Sequence, residues 1–114
     1  MPIPAPIQSK ADQELIAYCA AKIPVQVQNR IKLSISWRGS KATLIEHRPS
    51  FLDPSKWTES PVAQLRFEAP TGLWSLFCRD RNQRWHPYGP MPTSPHLHKF
   101  LAELDRDPTG IFWG

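Results

Sequence analysis

The chain has 114 residues, of which 40% are hydrophobic and 13 are prolines, and its formal net charge is +4. This length fits one domain with a single core, and the five tryptophans argue against disorder. Because no apolar run approaches the roughly 20 residues that span a bilayer and no signal-peptide pattern opens the chain, we predict a cytoplasmic protein with no membrane partner.

The N-terminal segment combines a proline-rich leader with a helix. Three of the first six residues are prolines, which predicts an extended leader over residues 1–8 and a single α+β domain over residues 9–114. Ser9 is a candidate N-cap for a helix from Lys10 to Lys22. The proline that follows this helix would end it.

The stretch after the first helix alternates apolar and polar residues, which predicts a β-hairpin. A turn at Gly39 would place Leu33 opposite Glu46, on the apolar face of the hairpin. A carboxylate there needs a partner, because burying it alone costs several kcal/mol. The candidate partners of Glu46 are Arg48 and Arg66.

A linker and a three-stranded meander are predicted next. Residues 49–60 contain two prolines and break the alternation, so the orientation of the first hairpin relative to the meander stays open. Residues 61–88 form the meander, with turns at 69–72 and 81–83. In the predicted register Glu68 faces Trp74, and one face of the meander is an apolar core made of Leu65, Phe67, Phe77 and Trp85. The other face is polar and lies around Trp74 and Leu76. The polar set is Gln64, Arg66, Glu68, His86 and Tyr88.

The C-terminal part predicts a second helix and a returning tail. Ser94 and Pro95 are the candidate N-cap and first residue of this helix. After a turn at Asp107–Gly110, the apolar residues 111–113 are expected to pack back on the sheet. The predicted fold class is therefore α+β: an antiparallel sheet of about five strands, made of a hairpin plus a three-stranded meander, flanked by an N-terminal and a C-terminal helix.

Sequence motifs for catalysis and metal binding are missing. The chain has no phosphate-binding glycine loop, no zinc-protease motif and no hydrolase nucleophile elbow. His96 and His98 should diverge by about two hundred degrees on a helix, so we predict no metal site and no cofactor. Cys19 and Cys78 are expected to be small buried side chains without a disulfide.

Several motifs are similar to those of a bacterial family. They are the stretch from Thr43 to Pro49, Thr71-Gly72-Leu73-Trp74, the Arg79–His86 segment with Trp85-His86, and the ending from Asp107 to Gly114. Together they resemble the family catalogued as domain of unknown function 3024, from about Leu15 to the end. The resemblance implies one intact domain and no particular activity. At Gln83 the family pattern has glycine, so this glutamine must adopt the left-handed turn conformation.

The charge distribution favours a binding module. Between Arg30 and His86 there are ten lysines or arginines against five acids, whereas the rest of the chain has four against five. We therefore expect a non-enzymatic module that binds nucleic acid or another polyanion through a basic, aromatic sheet face. The predicted contacts are Arg66, Arg79, Arg81, Arg84, His86 and Tyr88, with Glu46 nearby.

Two alternatives stay open. The first is a small enzyme with an acid–base site built from Glu46, Arg66 and His86. The second is a protein-interaction domain that uses the aromatic tail to hold a protein partner.

Overall fold

The computed structural model describes residues 3–113 and confirms the predicted α+β class. Two helices flank a five-stranded antiparallel sheet whose strands are ordered β1-β2-β3-β4-β5. The elements are α1 (Ala5–Lys22), a short 3-10 turn (Val25–Val27), β1 (Lys32–Arg38), β2 (Lys41–Pro49), β3 (Trp57–Glu68), β4 (Leu73–Arg79), β5 (Trp85–Pro87) and α2 (Leu97–Arg106). Over this described range, neither helix is long and apolar enough to cross a membrane.

The β1–β2 hairpin has the predicted register. Gly39 adopts a positive φ of 60° in the two-residue turn, and Leu33 pairs with Glu46. The Glu46 carboxylate accepts a hydrogen bond from Arg48 Nε at 2.7 Å, which is one of the two expected pairings. The alternation of the sequence and the short turn together fix this register.

The prediction of a linker over residues 49–60 is wrong. β2 continues to Pro49 and β3 begins at Trp57, and these two residues are paired. β2 and β3 therefore form a long hairpin arm, in which a bulge at Val62 absorbs a shift of register between Leu44 and Ile45. The tip is ordered by hydrogen bonds of its own, including Ser50 N–H to the Lys56 carbonyl at 2.7 Å.

The predicted register between β3 and β4 is wrong by one residue. Glu68 pairs with Leu73, not Trp74, because the loop between the strands holds four residues, 69–72. Gly72 closes this loop with a φ of 69° and donates its N–H to the Glu68 carbonyl. A shift of one residue exchanges the faces of a strand. Trp74 therefore points into the core on the opposite face from Arg66, whose strand partner is Ser75.

Both helices begin at other residues than predicted. α1 starts at Ala5 after Pro4, so Ala5–Gln8 are helical and Ser9 is not the N-cap. Proline is well tolerated in a first helical turn, which explains this early start. α2 starts later, at Leu97, because Ser94 forms a bridge with Trp74 and lies at the sheet.

The core lies between the helices and one face of the sheet, which we call the helix face. Leu15 of α1 and the apolar side of α2 cover the buried residues of the three central strands. The most deeply buried large side chains of this core are Phe100, Leu15, Leu44, Leu65 and Leu104.

The C-terminal tail returns to the domain, as predicted, but it contacts α2 and Tyr88 and one residue stays outside. Phe112 is buried with its ring 5.0 Å from that of Tyr88, and Trp113 Nε1 donates a hydrogen bond to the Leu104 carbonyl. Ile111, which was expected to be buried, remains 45% exposed.

Candidate functional site

The sheet face turned away from the helices is the candidate site, and we call it the open face. Residues that alternate with the core positions project from it, since successive side chains of a strand point to opposite faces. In the described part of the chain, both helices contribute to the core on the other side. The larger side chains of the open face are Lys32, Arg38, Lys41, Thr43, Ile45, His47, Trp57, Glu59, Gln64, Arg66, Glu68, Phe77, Arg79 and Trp85.

Cations lie over aromatic rings at three places on the open face. Lys32 Nζ is 4.5 Å from the centre of the Trp57 ring. The Arg66 guanidinium carbon is 3.7 Å from the centre of Phe77, and that of Arg79 is 5.5 Å from Trp85. Each pair joins residues of different strands, so the sheet fixes the spacing of the rings and the cation–π contacts fix the cations.

Arg66 is held by a chain of hydrogen bonds. Its Nε donates to Gln64 Oε1 at 2.7 Å, and Gln64 Nε2 donates to Thr43 Oγ1 at 3.0 Å. Burial lowers the pKa of Arg66, yet a guanidinium stays charged at neutral pH. The chain uses one edge of the guanidinium and leaves its terminal nitrogens for another partner.

Arg79 lies on the same face as Arg66 and, within residues 3–113, has spare donors as well. Its Nη2 donates a long hydrogen bond of 3.4 Å to the Gln83 carbonyl. Its Nε is buried, and within residues 3–113 it has no hydrogen-bond partner. A buried donor without a partner is costly, which makes it a position where a ligand oxygen would be stabilising.

A shallow depression of about 540 Å³ joins these groups. Four cations contribute to its lining, Arg38, Lys41, Arg66 and Arg79, together with Trp85 and uncharged residues. The lining contains no aspartate or glutamate. The depression is therefore positively charged and has an aromatic ring at one side, a combination that suits a planar or phosphorylated anion.

The turn between β4 and β5 is built around Asp80. Its carboxylate accepts the backbone N–H groups of Asn82 and Arg84 at 2.8 and 2.9 Å and contacts His86 Nε2 at 2.6 Å. The Arg84 N–H, followed by the His86 side chain, lowers the pKa of Asp80. Gln83 has a φ of 65°, which confirms the left-handed conformation expected at this residue.

The structure divides the residues predicted to form one site. Arg66 and Arg79 lie on the open face, while Arg81 and Arg84 are exposed in and beside the turn. The others lie elsewhere: Glu46, His86 and Tyr88 belong to the helix face.

Tyr88, far from being available for stacking, is buried. It donates a hydrogen bond to Glu103 Oε2 at 2.8 Å, and burial, followed by this contact, raises its pKa to about 12. The register error between β3 and β4 explains why Tyr88 was expected beside Arg66. In the predicted register Arg66, His86 and Tyr88 share one face of the sheet, whereas in the structure Arg66 lies on the opposite face from the other two.

The residues of the predicted acid–base site, Glu46, Arg66 and His86, do not lie together either. Glu46 lies on β2 and His86 on β5, three strands apart, or about 14 Å at the usual spacing of about 4.8 Å. Each has its own partner, Arg48 for Glu46 and Asp80 for His86. Arg66 is on the opposite face of the sheet, so these groups do not converge on one point as general acid–base chemistry requires.

Sequence reasoning missed several members of the open face. Lys32 and Arg38 belong to the polar half of the β1 alternation, which is a readable signal for the solvent side of a strand. Lys41 pairs with Arg66 across β2 and β3, and this contact could not be found while the connection between those strands was taken for a linker. Phe77 and Trp85 were assigned to the core through the same register error, and both lie on the open face.

The histidines and cysteines offer no metal centre in the part of the chain that the structure describes. No group of three or more potential ligands comes together there. The His96 and His98 rings are 5.6 Å apart and do not diverge as expected, because His96 precedes the helix in an extended conformation. Cys19 and Cys78 are both free thiols, and burial raises the pKa of Cys19 to about 11.

Two helices on one side of an antiparallel sheet, with a cationic and aromatic face on the other, define a two-layer α+β protein with an open sheet. The chain belongs to the family described as Domain of unknown function (DUF3024), whose model matches residues 3–114. No curated protein and no solved structure matches the chain.

Proposed function

We propose that the open face binds single-stranded nucleic acid. The observation that carries the proposal is the depression whose described lining has four cations and neither aspartate nor glutamate. A patch of this kind attracts a polyanion, because each phosphate neutralised by a lysine or arginine releases condensed counterions. The positions of the cations on neighbouring strands also suit a ligand that carries several phosphates.

The aromatic rings favour nucleic acid over other polyanions. Phe77 and Trp85 lie beneath the Arg66 and Arg79 guanidiniums, on a sheet face that the helices leave open. Unpaired bases stack on such rings, whereas a duplex keeps its bases within its own stack. A base can stack on the guanidinium that lies over a ring or on the uncovered part of the ring, and the N–H groups of the guanidinium still reach a neighbouring phosphate.

The arrangement is also organised before any ligand arrives. The hydrogen bonds from Arg66 to Gln64 and from Gln64 to Thr43 limit the conformations of the guanidinium. Holding a contact group in its bound conformation reduces the entropy cost of binding. A nucleic-acid partner also agrees with the proposed cytoplasmic location.

The proposal is tested by fluorescence anisotropy with labelled single-stranded RNA and DNA of mixed sequence at low salt. We expect the double variant Arg66→Glu with Arg79→Glu to lose binding. The charge-matched control changes Lys10 and Lys99, two exposed helix residues outside the open face, to glutamate. This control should keep nearly all of the affinity.

Stacking is tested separately with Trp85→Leu, which keeps an apolar side chain but removes the ring. We expect a loss of about 1–3 kcal/mol of binding free energy, as is usual when one stacked base loses its aromatic partner. Binding of heparin or a duplex that equals binding of single strands would show that the face recognises charge alone. Absence of any binding at low salt, or equal losses in the control, would refute the proposal.

A further inference from the structure

The edge strand β1 has free backbone groups along one side. Among the strands that the structure describes, β1 pairs with β2 only. Arg38 and Lys41 flank a two-residue turn, and residues in these positions of a hairpin form a hydrogen-bonded pair. Because such pairs alternate along an antiparallel ladder, the N–H and C=O groups of Leu33, Ile35 and Trp37 point away from β2. Over residues 3–113, no loop or turn backbone forms a hydrogen bond with these groups.

An apolar groove runs beside this edge. It has a volume of about 340 Å³ between α1 and β1, and its apolar lining includes Ile16, Cys19, Ile23, Leu33 and Ile35. Ile16 is 56% exposed, which is unusual for a large aliphatic side chain facing a groove. A strand added to β1 would place every second side chain into this groove.

The other side of the edge is positively charged. Lys32 and Arg38 lie near the two ends of β1 on the open face, with Ser34 and Ser36 between them. A strand added to β1 would place its remaining side chains beside these residues. Acidic residues would be favoured there, because opposite charges on adjacent strands attract and like charges repel.

We propose that β1 binds an extended segment of another protein in which apolar and acidic residues alternate. The segment adds to the edge as a sixth strand, with its backbone bonded to Leu33, Ile35 and Trp37, its apolar side chains in the groove and its acids beside Lys32 and Arg38. A second copy of the chain fits less well, because antiparallel pairing of the whole of β1 with itself sets Lys32 against Arg38 twice.

The experiment is an NMR titration of the isotopically labelled protein with capped peptides of about nine residues. The first peptide alternates valine and glutamate, the second has the same composition in two blocks, and the third alternates valine and lysine. We expect the first to bind about tenfold more tightly than either of the others. The amides of Leu33, Ile35 and Trp37 should shift and become protected from hydrogen exchange.

Two variants separate the edge from the rest of the molecule. Ile16→Glu should weaken binding of the first peptide about tenfold or more, while Val25→Glu, at a residue that is 80% exposed and outside the groove, should leave it unchanged. Ile16→Glu should also leave oligonucleotide binding intact, so failure of the peptide-binding proposal can be distinguished from failure of the nucleic-acid proposal. The double variant Lys32→Glu with Arg38→Glu should change the preference to the valine–lysine peptide.

Equal affinity for the three peptides would overturn the proposal, as would amide shifts away from β1. Dimerisation through β1, detected by sedimentation in the absence of peptide, would overturn it as well, because the edge would then be occupied by a second copy.

Discussion

Phe112 carries the clearest stability prediction. Its side chain is 7% exposed and packs against Tyr88, while the backbone N–H of the residue bonds to the Asp107 carboxylate at 3.2 Å. Truncating a buried phenylalanine to alanine costs about 3–5 kcal/mol, the sum of lost apolar transfer and the cavity left behind. Phe112 lies near the end of the chain, where neighbours can relax, so we expect about 3 kcal/mol for Phe112→Ala.

That loss is large for a domain of this size. Net stabilities are about 5–15 kcal/mol, and a chain of about a hundred residues loses roughly 4 °C in Tm per kcal/mol. We therefore expect a fall of about 12 °C in the thermal midpoint and a lower urea midpoint with an unchanged slope. Circular dichroism and tryptophan fluorescence should give the same transition.

Ile111 provides the matched control, because it is the adjacent residue and 45% exposed. Ile111→Ala should cost less than about 1 kcal/mol, since exposed apolar side chains contribute little. If Phe112→Ala kept the wild-type midpoint, or if both variants lost the same amount, the packing argument would be refuted. The tail would then be a free segment available to a protein partner.

Three further outcomes are expected. Tyr88→Phe should cost about 1–3 kcal/mol in urea denaturation, because it leaves the buried Glu103 carboxylate without its hydroxyl donor; an unchanged midpoint would contradict this. The depressed pKa of Asp80 means that its carboxylate stabilises the β4–β5 turn above its ordinary pKa of about 3.9 and loses this effect as the pH falls through the lower folded-state value. The protection of the turn amides, measured relative to their intrinsic exchange rates at each pH, should therefore fall at acid pH in the wild type, with no such step in Asp80→Asn. If the four cations of the depression each neutralise one phosphate, a plot of the logarithm of the affinity against the logarithm of the salt concentration should have a slope of about −2.8. Replacing Arg66 and Arg79 with uncharged residues should halve this slope. An unaltered slope would count against their contact with phosphate.

Local turn chemistry decided which parts of the sheet were predictable. The Gly39 turn has two residues and admits one register, so the pairing of Leu33 with Glu46 was predicted correctly. The loop after Glu68 can be closed in more than one way by a glycine with positive φ, and the choice among them changes the register by one residue. The strands that make up the sheet were therefore predictable, but the face on which each residue of the meander lies was not.

The candidate site was harder to predict because it depends on that register and on a connection hidden by prolines. The excess of cations in the sheet region was visible in the sequence, and Arg66 and Arg79 do lie together on the open face. Lys41 joins them only because β2 pairs directly with β3, across an arm that continues through Pro49 and Pro61. Proline at the end of a strand or beside a bulge is compatible with pairing, so it is a weak signal for a linker.

The order of strands in the sheet is also their order along the chain, and this has a consequence for how the domain folds. Each strand meets its neighbour after a short loop closure, which costs little chain entropy. The contact between the helices is different: the hydrogen bond from Tyr18 to Asp105 joins residues 87 positions apart. The five-stranded sheet is therefore expected to form early in folding, and α2 is expected to dock beside α1 late. During synthesis, part of the apolar side of the sheet would stay uncovered until α2 emerges. Slow docking of α2 would therefore leave that surface prone to aggregation.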